Sequence, residues 1–262
     1  MVGRLYTSPM QLLISVRDAL EANDALEGGA DIIDAKEPLA GALGSVSPAA
    51  FFAIVTAVGS RRRVSAALGD AGDEQAVERQ ALAFARAGAV FVKIGFAGVA
   101  SQERVAALMA AAKAGADAGG AGLIAVAYAD GADVGALSAD HILDVALRAG
   151  TRGVLLDTVR KDGPSSLALV SADRLAAWVD RARAAGLLTS IAGRLMAEDL
   201  TTVLDTGADI AGIRGAACDG GRDGRVSAER VRRLRTALRV RTHHTPPTAD
   251  LVAASPGSRD RT

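Results

Sequence analysis

Five times along the chain a glycine stands directly before a short apolar run: Gly29 in EGGADIIDAK, Gly88 in RAGAVFVKIG, Gly150 in RAGTRGVLLDTV, Gly186 in RAAGLLTSIAG and Gly207 in DTGADIAGIRG. Glycine in the left-handed conformation ends helices, and a short run dense in Val, Ile, Leu and Ala reads as a buried parallel strand. The motif is a helix-to-strand joint, made repeatedly.

Eight such runs are found, at residues 11–16, 31–36, 63–68, 90–94, 123–128, 153–157, 187–192 and 210–214. Between them lie stretches of helical spacing with start signals. Ser47 precedes Pro48 ahead of AAFFAIVTAV, and Ser138 with Asp140 opens HILDVALRAG. Eight strand–helix units predict an α/β chain folded as one (β/α)8 TIM barrel over residues 11–240. Residues 1–10 precede it as an N-terminal extension. Residues 241–262 lose the apolar period and gather Pro, Ser, Thr and Asp, so they are expected to be a disordered tail whose His243 and His244 are solvated.

The 30 basic residues balance the 30 acidic ones, which argues against a nucleic-acid or anionic-membrane partner and for a small molecule. Cys218 is the single cysteine, so an intrachain disulfide and a cysteine-built metal cluster are excluded. No apolar stretch reaches membrane-spanning length without a charge or glycine, and a soluble, cytoplasmic chain is expected.

A barrel of this kind carries its site at the C-terminal strand ends. Here those ends are polar. The second run ends in Asp34 and Lys36, two residues apart and so on one face; the fourth ends in Lys93. The third leads into Asp70, the fifth into Tyr128 and Asp130, the sixth into Asp157 and then Lys161, and the eighth into Arg214. The chain has 26 arginines and only four lysines, three of which fall at this rim; Lys113, in a helical stretch, is the exception. Lysine can deprotonate and form an imine, which arginine cannot, so the choice of residue points to a requirement for an amine. Crowded ammonium groups also depress one another's pKa unless an anion is bound. Glycine-rich turns after the seventh and eighth runs, SIAGRL and IRGAACDGGRDGRV, suit a phosphate held by backbone N–H groups. Gly193, Arg214 and Gly215 are the expected phosphate contacts, with Asp70 and Asp130 as further substrate-binding residues.

Through GGADIIDAKEPLAGALG, SAALGD, FVKIG, AYAD, LLDTVRKDG and GIRGAACDGGRDGRV the chain resembles the (5-formylfuran-3-yl)methyl phosphate synthases. The resemblance implies condensation of two molecules of glyceraldehyde 3-phosphate, with loss of phosphate and water, toward methanofuran-type cofactors. It implies that Lys36 forms the Schiff base, that Lys93 accepts a proton, and that Asp34, Asp157 and Lys161 support them. From the residues alone, either Lys36 or Lys93 can form the imine. Asp34 is expected to orient Lys36 and shuttle its proton. The imine is itself the electron sink, so neither metal nor organic cofactor is called for. A class I aldolase, a phosphosugar isomerase or a non-catalytic phosphosugar-binding barrel would use similar residues. A homo-oligomer is expected, with Trp178 a candidate interface residue.

Overall fold

The computed structural model describes residues 9–239. The expected tail at 241–262, with His243 and His244, and all but the last two residues of the 1–10 extension lie outside the described residues. Eight parallel strands close into a barrel in sequence order: β1 (Gln11–Val16), β2 (Ile32–Ala35), β3 (Arg63–Asp70), β4 (Phe91–Gly95), β5 (Gly122–Tyr128), β6 (Gly153–Asp157), β7 (Leu188–Ile191) and β8 (Ile210–Ile213). Around them run α1 (Ala19–Gly28), α2 (Pro48–Val58), α3 (Glu74–Arg86), α4 (Gln102–Gly119), α5 (Ala139–Ala149), α6 (Ser166–Leu169), α7 (Ala172–Ala184), α8 (Asp199–Asp205) and α9 (Ala228–Arg239). The chain is a (β/α)8 barrel, as its repeated joints predict.

The local signals act as their chemistry requires. All five joint glycines, Gly29, Gly88, Gly150, Gly186 and Gly207, have positive φ. Ser47 and Ser138 accept hydrogen bonds from the backbone N–H groups of Ala50 and His141, which would otherwise be unpartnered in the first helical turn.

Strand alternation divides the side chains into two sets. Ile33 and Ala35 of β2 point outward into the large core between sheet and helices, together with Leu12, Ile14, Val92, Ile94, Val154 and Leu156. Asp34, between them, points into the lumen. Register then sets its neighbours: Ser15 of β1 and Ser65 of β3 lie level with Asp34 on either side. Trp178, the candidate interface residue, is largely buried within the chain itself. It is 6% exposed, packs in the core, and donates its indole N–H to the carbonyl of Ala139 at 3.2 Å.

Helices α3 and α4 pack very closely because α4 carries glycine at the contact. A Cβ on Gly115 would stand 2.1 Å from the carbonyl oxygen of Glu78. Gly→Ala inside a helix ordinarily stabilises by about 1 kcal/mol. Here Gly115→Ala is expected to destabilise by about 1–3 kcal/mol, since backbone must move to admit the methyl group. Urea unfolding midpoints of the two proteins check the reversed sign.

Candidate active site

The lumen is not filled. Inward positions that bulky residues often occupy in such barrels carry Ser15, Ser65, Ser190 and Gly212, and a cavity of about 610 Å3 opens at the C-terminal mouth. Asp34, Lys36, Lys93, Asp157 and Lys161 all line it, so strand ends far apart in sequence deliver three amines and two carboxylates to one space. Four of the five are nearly inaccessible: Asp34 is 0% exposed, Asp157 2%, Lys93 4% and Lys36 6%.

These groups sort into two sets. Lys93 Nζ lies 2.6 Å from Asp34 Oδ1, reaching past β3. Ser65 Oγ donates to the same oxygen at 2.7 Å, and Ser15 Oγ donates to Oδ2 at 2.9 Å. Asp34 therefore serves Lys93 and is held by two hydroxyls, whereas the sequence reading assigned it to orienting Lys36. The second set centres on Asp157. Lys161 donates to its Oδ1 at 2.6 Å, the Thr158 N–H donates to the same oxygen at 2.7 Å, and Lys36 Nζ stands 4.0 Å from Oδ2. Burial pushes the Asp157 carboxyl up, but the charges of Lys161 and Lys36 and the hydrogen bonds outweigh it and leave the pKa at about 2. Burial lowers the Lys36 pKa to about 7; Asp157 opposes the shift, while Lys161 and Lys93 add to it. Three amines face two carboxylates, and the amine without a carboxylate at contact distance is the one held near neutrality.

The remaining expected residues divide. Gly193 and Gly215 line the cavity, and Gly193 has φ +97° with the Thr158 backbone and Ser166 packed close against it. Arg214 also lines the cavity, but its guanidinium is engaged by the protein itself. It pairs with Glu21 of α1, which is fully buried, at 2.8 Å, and donates to the carbonyls of Ser15, Arg222 and Gly224. Sequence position cannot reveal such a partner 193 residues away. Asp70 and Asp130 do not line the cavity. Asp70 accepts from the Tyr128 hydroxyl at 2.5 Å and from the Ala97 N–H. Burial pushes both the Asp70 and Tyr128 pKa values up. Asp130 accepts the N–H groups of Val159 and Arg160 at 2.7 and 2.8 Å, fixing the loop that carries Lys161.

Sequence reading missed Ser15 and Ser65, whose only signal was inward alternation beside Asp34. It also missed Arg222, in the 220–224 turn of a hairpin formed by β9 (Cys218–Asp219) and β10 (Arg225–Val226). Arg222 lines the cavity and donates through Nη2 to the carbonyls of Pro38 and Gly41, at 3.0 and 2.8 Å.

A barrel whose open mouth gathers buried lysines and carboxylates is the architecture of a (β/α)8 enzyme working on a small molecule. Its family is more specific. The sequence model described as 4-HFC-P synthase matches residues 12–235, and the chain belongs to that family. It is 36% identical over 233 residues to the (5-formylfuran-3-yl)methyl phosphate synthase of Methanopyrus kandleri, covering 87% of this chain and 98% of that one. It is 37% identical over 240 residues to a putative (5-formylfuran-3-yl)methyl phosphate synthase of Streptomyces griseus, covering 87% and 94%. Among solved structures, 3-hexulose-6-phosphate synthase superposes with a TM-score of 0.58 at 22% identity, over 87% of this chain and 99% of that one; the likeness is one of fold.

With a pKa of about 7, the Lys36 amine is protonated below and free above that pH, so its acylation rate by a small amine-directed reagent is expected to rise through pH 7 and then level off. Asp157→Asn removes the nearest carboxylate supporting the ammonium and should move the midpoint lower. Peptide mass spectrometry of Lys36 labelling across pH checks both.

Proposed function

We propose that the chain condenses two molecules of glyceraldehyde 3-phosphate into (5-formylfuran-3-yl)methyl phosphate through an imine on Lys36, releasing one phosphate and two waters, for biosynthesis of methanofuran-type cofactors. The observation that carries the proposal is the Lys36 amine, buried in the cavity and held at a pKa of about 7. An amine must be unprotonated to attack an aldehyde, and an imine withdraws electrons from the adjacent carbon once formed.

The neighbouring groups suit the steps that follow. Attack by Lys36 gives a carbinolamine, and loss of water gives the imine. Lys93 takes the proton from the carbon next to the imine, with Asp34 at 2.6 Å to exchange a proton with it. The resulting enamine supplies the carbon nucleophile for the second aldehyde, and a phosphate leaves by elimination. Asp157, ionised at all working pH values, holds Lys161 beside Lys36 and supports the iminium charge. Backbone N–H groups at Gly193 and Gly215, with the Lys161 ammonium, are the proposed anion contacts. These anion contacts favour phosphorylated substrates over neutral ones.

Incubation of the purified protein with glyceraldehyde 3-phosphate should give the ultraviolet absorbance of a conjugated furan aldehyde together with inorganic phosphate. An aldolase or isomerase would leave every phosphate on carbon, so absence of released phosphate rejects this reaction. Lys36→Arg preserves the charge but cannot form an imine, and a loss of turnover of at least about 10^3-fold is expected. Borohydride added with substrate should trap the adduct on Lys36; an adduct on Lys93 alone would exchange the two roles.

A further inference from the structure

Arg222 is a half-buried cation that the proposed chemistry leaves unused. Among the described residues no carboxylate pairs with it, whereas Arg104, Arg181, Arg214, Arg230 and Arg235 each have one. It is held in place from two sides. Its backbone carbonyl accepts Arg214 Nε at 2.8 Å, and Arg214 is itself fastened to buried Glu21. Its Nη2 spans the mouth to the carbonyls of Pro38 and Gly41, in the loop that directly follows Lys36. Those two bonds take both hydrogens of Nη2. The hydrogen bonds of the described residues leave the Nε and Nη1 donors free to reach, one bond each, an anion in the cavity that Arg222 lines.

A fixed, partly desolvated cation without a counter-ion is unfavourable unless an anion completes it. We infer that Arg222 forms a phosphomonoester subsite between the β9–β10 hairpin and the loop after β2, selecting phosphorylated aldehydes for reaction at Lys36. The inference rests on the proposed imine chemistry and adds the group that recognises the substrate's phosphate. Because the same guanidinium holds Pro38 and Gly41, anion binding there also steadies the loop that emerges from Lys36. Arg222 thus replaces Arg214 as the arginine of the eighth loop that meets an anion.

The test compares borohydride trapping of glyceraldehyde 3-phosphate and of glyceraldehyde on Lys36 at low aldehyde concentration. Wild type should prefer the phosphorylated aldehyde by about 10- to 100-fold, the range expected for a charge-assisted hydrogen bond. Arg222→Gln keeps an amide donor for the two carbonyls but carries no charge, and the preference should fall to a few-fold. Full retention of the wild-type preference in Arg222→Gln would overturn the inference. A second measurement needs only the wild-type protein and no turnover: inorganic phosphate should protect Arg222 from phenylglyoxal, read by peptide mass spectrometry. Equal modification with and without phosphate would also overturn it. If no aldehyde is trapped on any lysine, the imine reading fails, and phenylglyoxal protection still decides the anion subsite.

Discussion

Pairing of β1 with β8 closes the sheet, and the site depends on that closure. In an open sheet the inward faces of β2, β4 and β6 would look toward helices, where Asp34, Lys93 and Asp157 would be isolated and costly. In a closed barrel the same faces converge on one lumen. Charges carried on alternate strands then become one another's neighbours, and Lys93 can meet Asp34 across the intervening β3. Small residues at Ser15, Ser65, Ser190 and Gly212 keep the lumen open where larger ones would fill it.

Electrostatics follows from the count of groups in that space. Lys93 and Lys161 each have a carboxylate oxygen at 2.6 Å. Lys36 has its carboxylate at 4.0 Å, and burial, with two ammonium groups acting on it, lowers its pKa to about 7. Removing that proton balances the set. Burial and the placement of its neighbours thus leave Lys36 an amine that is free above about pH 7, a state arginine could not reach because it does not deprotonate.

The loops add fixed geometry around this centre. Asp130 holds the backbone that carries Lys161, and Glu21 holds Arg214, which in turn holds the carbonyl of Arg222. These are buried or half-buried contacts, whose loss would leave a charge or N–H group without a partner. Asp130 and Arg214 thus brace the backbone of residues that line the cavity, Lys161 and Arg222.

The amino-acid sequence by itself determined the barrel, its eight strands to within a residue or two at most ends, and the three lysines at its mouth. Those features are local: a glycine that needs positive φ, a period of apolar residues, a serine before a first helical turn, a polar residue ending a strand. Only the tertiary structure decided which partner each polar residue met. Asp34 and Lys36 are two positions apart at the end of β2, yet Asp34 pairs with Lys93 and Lys36 lies toward Asp157. Arg214 and Arg222 share one glycine-rich loop and both line the cavity, yet only Arg214 meets a carboxylate, that of Glu21. The reason is physical: strand alternation fixes which way a side chain points, but distance and burial among side chains arise only when eight strands close around a common space.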